Sequence, residues 1–406
     1  MDKGPIFVRR RRIVIAAVLA VIALGVSGVA IAGGGLPFRR EEARGQDATN
    51  PDVHPSTASV VPTPSVASPE SPSPSPRTAP NIYAAAAAGD LSPRVRGVRT
   101  RVYVPNSESN TVDVIDPRTY RIVASYPVGV YPQHITPSWN LRWLYVDNTS
   151  GNSLTVIDPR TGRPTHKVIP VTDPYNLYFT PDGRKAIVVN ERFQRLDFRN
   201  PNTWGLIKSV AIPSAGPDHL DFSANGRSLL VSCEFSGWVY RVATDSMRVT
   251  GKLFVGGLPI DVRLSPDGRV YYVANQGLAG VTLVGARTLA KIGFLHTGTG
   301  AHGLAVSRNA ADLYVSNRLE GTISVVSFAK RKVVETWHVG GSPDMLQVSA
   351  NGRQIWTANR FNGTVSVIDA RTGKVLHVIR VGSSPHGLAL FPQPGTYSLG
   401  HNGVYR

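Results

Sequence analysis

A single cysteine, Cys233, in 406 residues excludes an intrachain disulfide and any metal site built on several thiolates. It also excludes a lipid-modified N-terminal cysteine as an anchor. Charge is sparse, at 17% of residues, and acidic charge is the scarcer kind, with 27 Asp and Glu against 44 Lys and Arg. The local signatures of common enzymes are missing: no G-x-S-x-G elbow, H-E-x-x-H helix, phosphate loop, EF-hand loop or paired C-x-x-C occurs. A site assembled from separate strands would leave no such trace. After residue 100 there is no Lys/Arg run interleaved with aromatics, so nucleic acid is not an expected partner. The net charge of +17 bears on solubility and on encounter with polyanions rather than on fold.

Glycine (39) and proline (31) are plentiful, which suits many short strands joined by tight turns. The N-terminus reads as an address. Lys3 and Arg9–Arg12 precede an uncharged stretch from Ile13 to Leu36, long enough as a helix to span a hydrocarbon core of about 30 Å. The charge bias puts residues 1–12 in the cytoplasm and the remainder outside. The expectation is a single-pass membrane protein with 13–36 as signal-anchor. Ala30-Ile31-Ala32 before Gly33 leaves open cleavage of the segment as a signal peptide and secretion. Residues 37–94, rich in Pro, Ser and Thr and including Ser-Pro-Ser-Pro-Ser-Pro at 71–76, are expected to form a disordered, extended stalk.

Beyond residue 100 three markers recur with one period. Strands end in asparagine at Asn106, Asn148, Asn190, Asn275, Asn317 and Asn359, with Cys233 in the remaining slot. Prolines follow the same spacing at 132, 174, 217, 259, 343 and 385, and Ala301 fills the gap; glycines do so at 256, 298, 340 and 382. The period is 42 residues, with one extra residue between Asn190 and Pro217. A period near 40 with four short strands per unit is the pattern of a β-propeller. Seven inner strands, starting near 134, 176, 219, 261, 303, 345 and 387, predict an all-β, seven-bladed propeller over 95–395 with four-stranded blades. Strand 387–391 should complete the blade begun by 102–106 and so close the ring. The tail 396–406 has no assigned role, and its His-Asn-Gly reads as a turn.

YVPN, YVAN and YVSN, followed by TVSVID and VGGSPDMLQVSANGR, resemble the YVTN-type β-propeller repeats of surface-layer and periplasmic proteins over residues 100–395. The resemblance implies seven blades and an extracytoplasmic home. Lactonase-like and redox-linked relatives share the architecture, so no reaction is implied.

In such a ring the loops before the inner strands share a face with those joining second to third strands, and a concave ligand site is expected there, at the channel mouth. That position holds His134, Asn176, Asp218, His219, Asp261, His302, Asp344 and His386, and the second-to-third-strand loops add Glu191, Arg192, Glu234, Arg318 and Arg360. Three consecutive blades place His302, Asp344 and His386 in one column, a donor set suited to a divalent metal or to acid–base work. The competing reading is that His and Asp beside Pro only satisfy backbone at a turn. The marker asparagines are expected to be structural, adopting left-handed conformations and bonding their own turns. His54, His166, His296, His338 and His377 are expected to be exposed. The favoured function is a monomeric binding module for an envelope polymer, peptide or protein. The alternative is a metal-assisted lactone or ester hydrolase at the same mouth, with Arg318 or Arg360 holding an anionic substrate.

Overall fold

The computed structural model describes residues 81–401 and 404–406. The expected anchor and the linker up to residue 80 lie outside them. Among the described residues no helix is long and apolar enough to cross a membrane.

Seven sheets are present, six of four strands and one of six. Each sheet runs from an inner strand such as Pro343–Val348 through Gln354–Asn359 and Thr364–Asp369 to an outer strand, Val375–Arg380. Inner and second strands are buried along nearly their whole length, because neighbouring blades cover both faces of each sheet. Ile187, Val189, Leu196 and Phe198 of one blade thus share a core with Leu220, Phe222, Leu229 and Val231 of the next. Only outer strands such as Lys332–His338 are largely exposed. The ring closes as expected: Ala389–Phe391 pairs antiparallel with the first strand, Val102 opposite Leu390. The inserted residue can be placed more narrowly than the markers allow. Arg195 pairs with Ala211 just as Thr111 pairs with Pro127, so the register is intact through Ala211 and the extra residue lies in the loop before Pro217.

The marker asparagines are structural, by a different device from the one expected. None has a positive φ. Asn317 donates from Nδ2 to Thr322 Oγ1 (2.9 Å) and Ser324 Oγ (3.0 Å), and Asn359 does the same with Thr364 and Ser366. The Asn106 and Asn148 amides bond the third strand in the same way, so these four clamp the end of the second strand to the third, whereas Asn190 and Asn275 donate to Thr172 O and Gly256 O of the preceding loop. Two of the marker glycines make room for this clamp: a Cβ on Gly382 would sit 2.7 Å from the Asn106 side chain, and one on Gly298 2.7 Å from that of Asn317.

Two segments depart from expectation. Residues 81–94, expected to continue the stalk, are packed on the propeller. Tyr83 and Ala86 are buried apolar anchors, the Tyr83 hydroxyl donates to Leu264 O (2.8 Å), and Gly89 N donates to Ala350 O (2.9 Å). The C-terminal tail folds into the ring. Ser398–Gly400 and Val404–Tyr405 add two strands to the channel edge of the blade that begins at Pro174. Gly400 has φ +134°, and a Cβ there would lie 2.6 Å from Leu177 O, so only glycine lets the tail lie flat on that inner strand. Tyr397 stacks on Trp139, and Arg406 pairs with Asp221 (3.2 Å) while donating to Phe222 O.

Asn317→Ala removes the bonds to Thr322 and Ser324 and the one accepted from Thr297 at a fully buried amide and should cost about 3 kcal/mol in urea unfolding. An unchanged midpoint would show that the clamp is dispensable.

Candidate functional site

The side chains that fill the axis are aimed there by a repeated irregularity. In six inner strands the register shifts by one between the marker proline and the following pairs, as between Pro217 and Leu220 or Pro343 and Leu346. Such a bulge re-aims the residues within it. His134, Asn176, Asp218, His219, Asp261, His302 and Asp344, named from the sequence for the channel mouth, lie at these bulges.

The expected open mouth is not what results. His134, Asn176, Asp218, His219, Asp261, His302, Asp344, His386, Arg318 and Arg360 are all buried, none more than 9% exposed. His302, Asp344 and His386 do converge, with the carboxylate as hub. Asp344 Oδ1 lies 2.8 Å from His302 Nδ1 and 3.1 Å from Arg318 Nη1; Oδ2 lies 2.8 Å from His386 Nδ1 and 3.7 Å from Arg360 Nη1. Arg318 also bonds Gln276, and Arg360 reaches Gln133 and the Tyr131 hydroxyl, each at 3.4 Å. A carboxylate already flanked by two guanidiniums is a poor seat for a further cation, since the like charges repel in a medium of low dielectric. Burial pushes the Asp344 carboxyl up, but His302, Arg318 and His386 outweigh it and hold it well below the ordinary carboxylate range. Burial pushes His302 down to about 3, with Arg318 adding to the effect against Asp344, and pushes His386 well down too.

Asp261 and Asn176 do structural work. Asp261 accepts from Val262 N (2.8 Å) and from Leu304 N of the next blade (2.9 Å), and pairs with Arg263. Asn176 donates to Asp218 O of the next blade (3.1 Å). Asp218 contacts His219 Nδ1, and its carboxylate lies with Glu191 and Glu234 in one group whose oxygens are within 4.8 Å. Arg192 lies beside the Asp173 carboxylate instead (3.7 Å). His166, His296, His338 and His377 are exposed, as expected; His54 lies outside the described residues.

His401 is the functional candidate that sequence reasoning missed. Its ring is fully buried, with centroids 3.9 Å from His134 and 4.7 Å from His219. It stands outside the repeat, so no periodic signal pointed to it; the glycine before it, needed for close approach to an inner strand, was the available clue.

Residues 76–393 match the family model described as YNCE-like beta-propeller. The chain belongs to that family. Similar solved structures of this YNCE-like propeller include hydrazine synthase of Kuenenia stuttgartiensis, 20% identical with TM-score 0.58, covering 70% of this chain and 95% of that one. A functionally unknown protein of Desulfotomaculum acetoxidans is 16% identical, with TM-score 0.63 and coverages of 71% and 98%. A putative 6-phosphogluconolactonase of Bacteroides fragilis is also 16% identical, with TM-score 0.61 and coverages of 73% and 98%. At these identities the likeness is one of fold. No curated protein matches the chain.

A buried imidazole held at about 3 contributes stability that is fully present above the unfolded value near 6.5 and declines as pH falls toward the folded one. Asp344, held low, loses its contribution only in stronger acid. Between pH 6 and 4 the stability of His302→Gln should therefore fall less steeply than that of wild type, by about 1.4 kcal/mol per pH unit. Parallel urea-midpoint curves for the two proteins would refute the neutral-imidazole assignment.

Proposed function

We propose that this propeller is a binding module of the cell envelope, tethered through residues 13–36, that engages an anionic envelope polymer or peptide on the face formed by the second-to-third-strand loops. One observation carries the reading. That face presents Phe193 and Phe361, 48% and 52% exposed, each with guanidinium over the ring: Arg192 and Arg195 at 4.9 and 5.4 Å from Phe193, and Arg318 at 5.3 Å from Phe361. An exposed aromatic ring beside Arg offers apolar contact and positive charge together, the composition enriched where proteins bind partners. Beneath them Asp344 is buried and engaged with His302, His386, Arg318 and Arg360, which favours contact on the rim over chemistry at that carboxylate. Basic net charge supports attraction of an anionic ligand.

A metal-assisted hydrolase using His302, Asp344 and His386 is a second reading, favoured by their convergence on one carboxylate. Lactone and ester turnover abolished by chelator and by His386→Ala would establish it.

Arg318 and Arg360 are unsuitable probes of binding, because their removal unbalances Asp344. Phe193→Ser with Phe361→Ser changes only the rim. In the full chain held in detergent this pair should weaken retention on membrane-free envelope polymer roughly 30-fold, as expected of hot-spot residues, with unfolding unchanged. Equal retention of the double variant and wild type would refute the proposed face.

A further inference from the structure

We infer that His134, His219 and His401 form a buried three-nitrogen site for a divalent transition ion of the zinc type, joining the C-terminal tail to the ring. Two of the three come from the bulges of inner strands two blades apart, Pro132–Pro137 and Pro217–Phe222. The third follows the tail strand Ser398–Gly400. All three are fully buried, and ring nitrogens, one from each, lie within 4.8 Å of one another. Small ring rotations would bring that spacing to the roughly 3.4 Å between ligands of a tetrahedral ion.

The decisive feature is hydrogen bonding. Among the described residues, neither ring nitrogen of His134 nor of His401 has a hydrogen-bond partner, and His219 Nε2 has none. Buried polar atoms are almost always satisfied, and an unmet one is a standing cost to the fold. A group of them turned toward one another is hard to keep on packing alone. A shared ion would engage one nitrogen of each of the three rings at once.

The surroundings suit it. Asp218 holds His219 at Nδ1, the carboxylate–imidazole arrangement that fixes a ligand's tautomer and leaves Nε2 for a metal. Glu191 and Glu234 group with Asp218 and add negative charge on that side. Imidazole donors without thiolate or water-exposed carboxylate select zinc, copper or nickel over magnesium or calcium. Three protein ligands leave the fourth position of a tetrahedral ion open, while complete burial shuts the centre off from bulk solvent. The site adjoins the Asp344 hub, the His134 ring centroid lying 4.5 Å from that of His386, but draws on none of its residues, and it does not depend on the binding reading above.

Full-chain protein stripped with chelator and dialysed would be titrated with Zn²⁺, with bound metal measured by elemental analysis and stability by thermal unfolding. Wild type should take up one ion per chain and melt higher with it. His401→Gln and His219→Gln should each lower Zn²⁺ affinity by roughly 100-fold or more, while the exposed His377→Gln binds as wild type. Folded wild type, verified by circular dichroism, that takes up neither Zn²⁺ nor Cu²⁺ and gains no stability would overturn the site. So would loss of metal in His302→Gln with retention in His401→Gln, which would seat the ion at Asp344. Wild type alone decides the first outcome, so a variant that fails to fold leaves the inference testable.

Discussion

At the axis of this ring the inner strands, apart from Pro174–Phe179 with the tail beside it, have one edge with no strand alongside, and their backbone N–H groups must find partners away from water. Side chains of the preceding blade supply them. Leu220 N bonds the Tyr178 hydroxyl, Leu264 N bonds Asp221, Leu304 N bonds Asp261 and Leu390 N bonds Gln347. These are long-range bonds between blades that otherwise meet through apolar faces. An unmade buried N–H costs as much as a lost hydrogen bond, so the requirement selects polar side chains at inner-strand positions and makes the axis polar throughout. Much of what looks functional in the channel is there because the edges demand it.

The same requirement explains why the axis holds charge without being an open site. Bulges turn His134, Asp218, His219, His302 and Asp344 inward, and the tail enters the channel against the inner strand Pro174–Phe179. Buried charge is tolerated only when paired. Asp344 with Arg318 and Arg360, Asp261 with Arg263, and Asp221 with Arg406 satisfy that rule. The histidines satisfy it differently, by remaining neutral under burial. Interior and rim therefore have separate parts: the interior consolidates the ring and its tail, and the rim, where Phe193 and Phe361 stand beside arginines, is left to meet other molecules.

By itself the sequence determined the ring. A strict 42-residue spacing of Asn, Pro and Gly dictates identical units, and a chain that begins on a second strand and ends on an inner one can complete its first blade only by closing. It also located the windows that face the axis, because a column of residues beside a repeated proline has one structural meaning. Only the tertiary structure decided how those windows are used. That Asp344 gathers two histidines and two arginines, that Asp261 and Asn176 serve neighbouring backbones, and that asparagines such as Asn317 clamp strands rather than shape turns all depend on contacts between residues about 42 apart or across a sheet, whose partners no local pattern names. His401 is the clearest case. It lies outside the repeat and reaches the axis only because Gly400 lets the tail run flush against an inner strand, a fit that exists once the ring has formed.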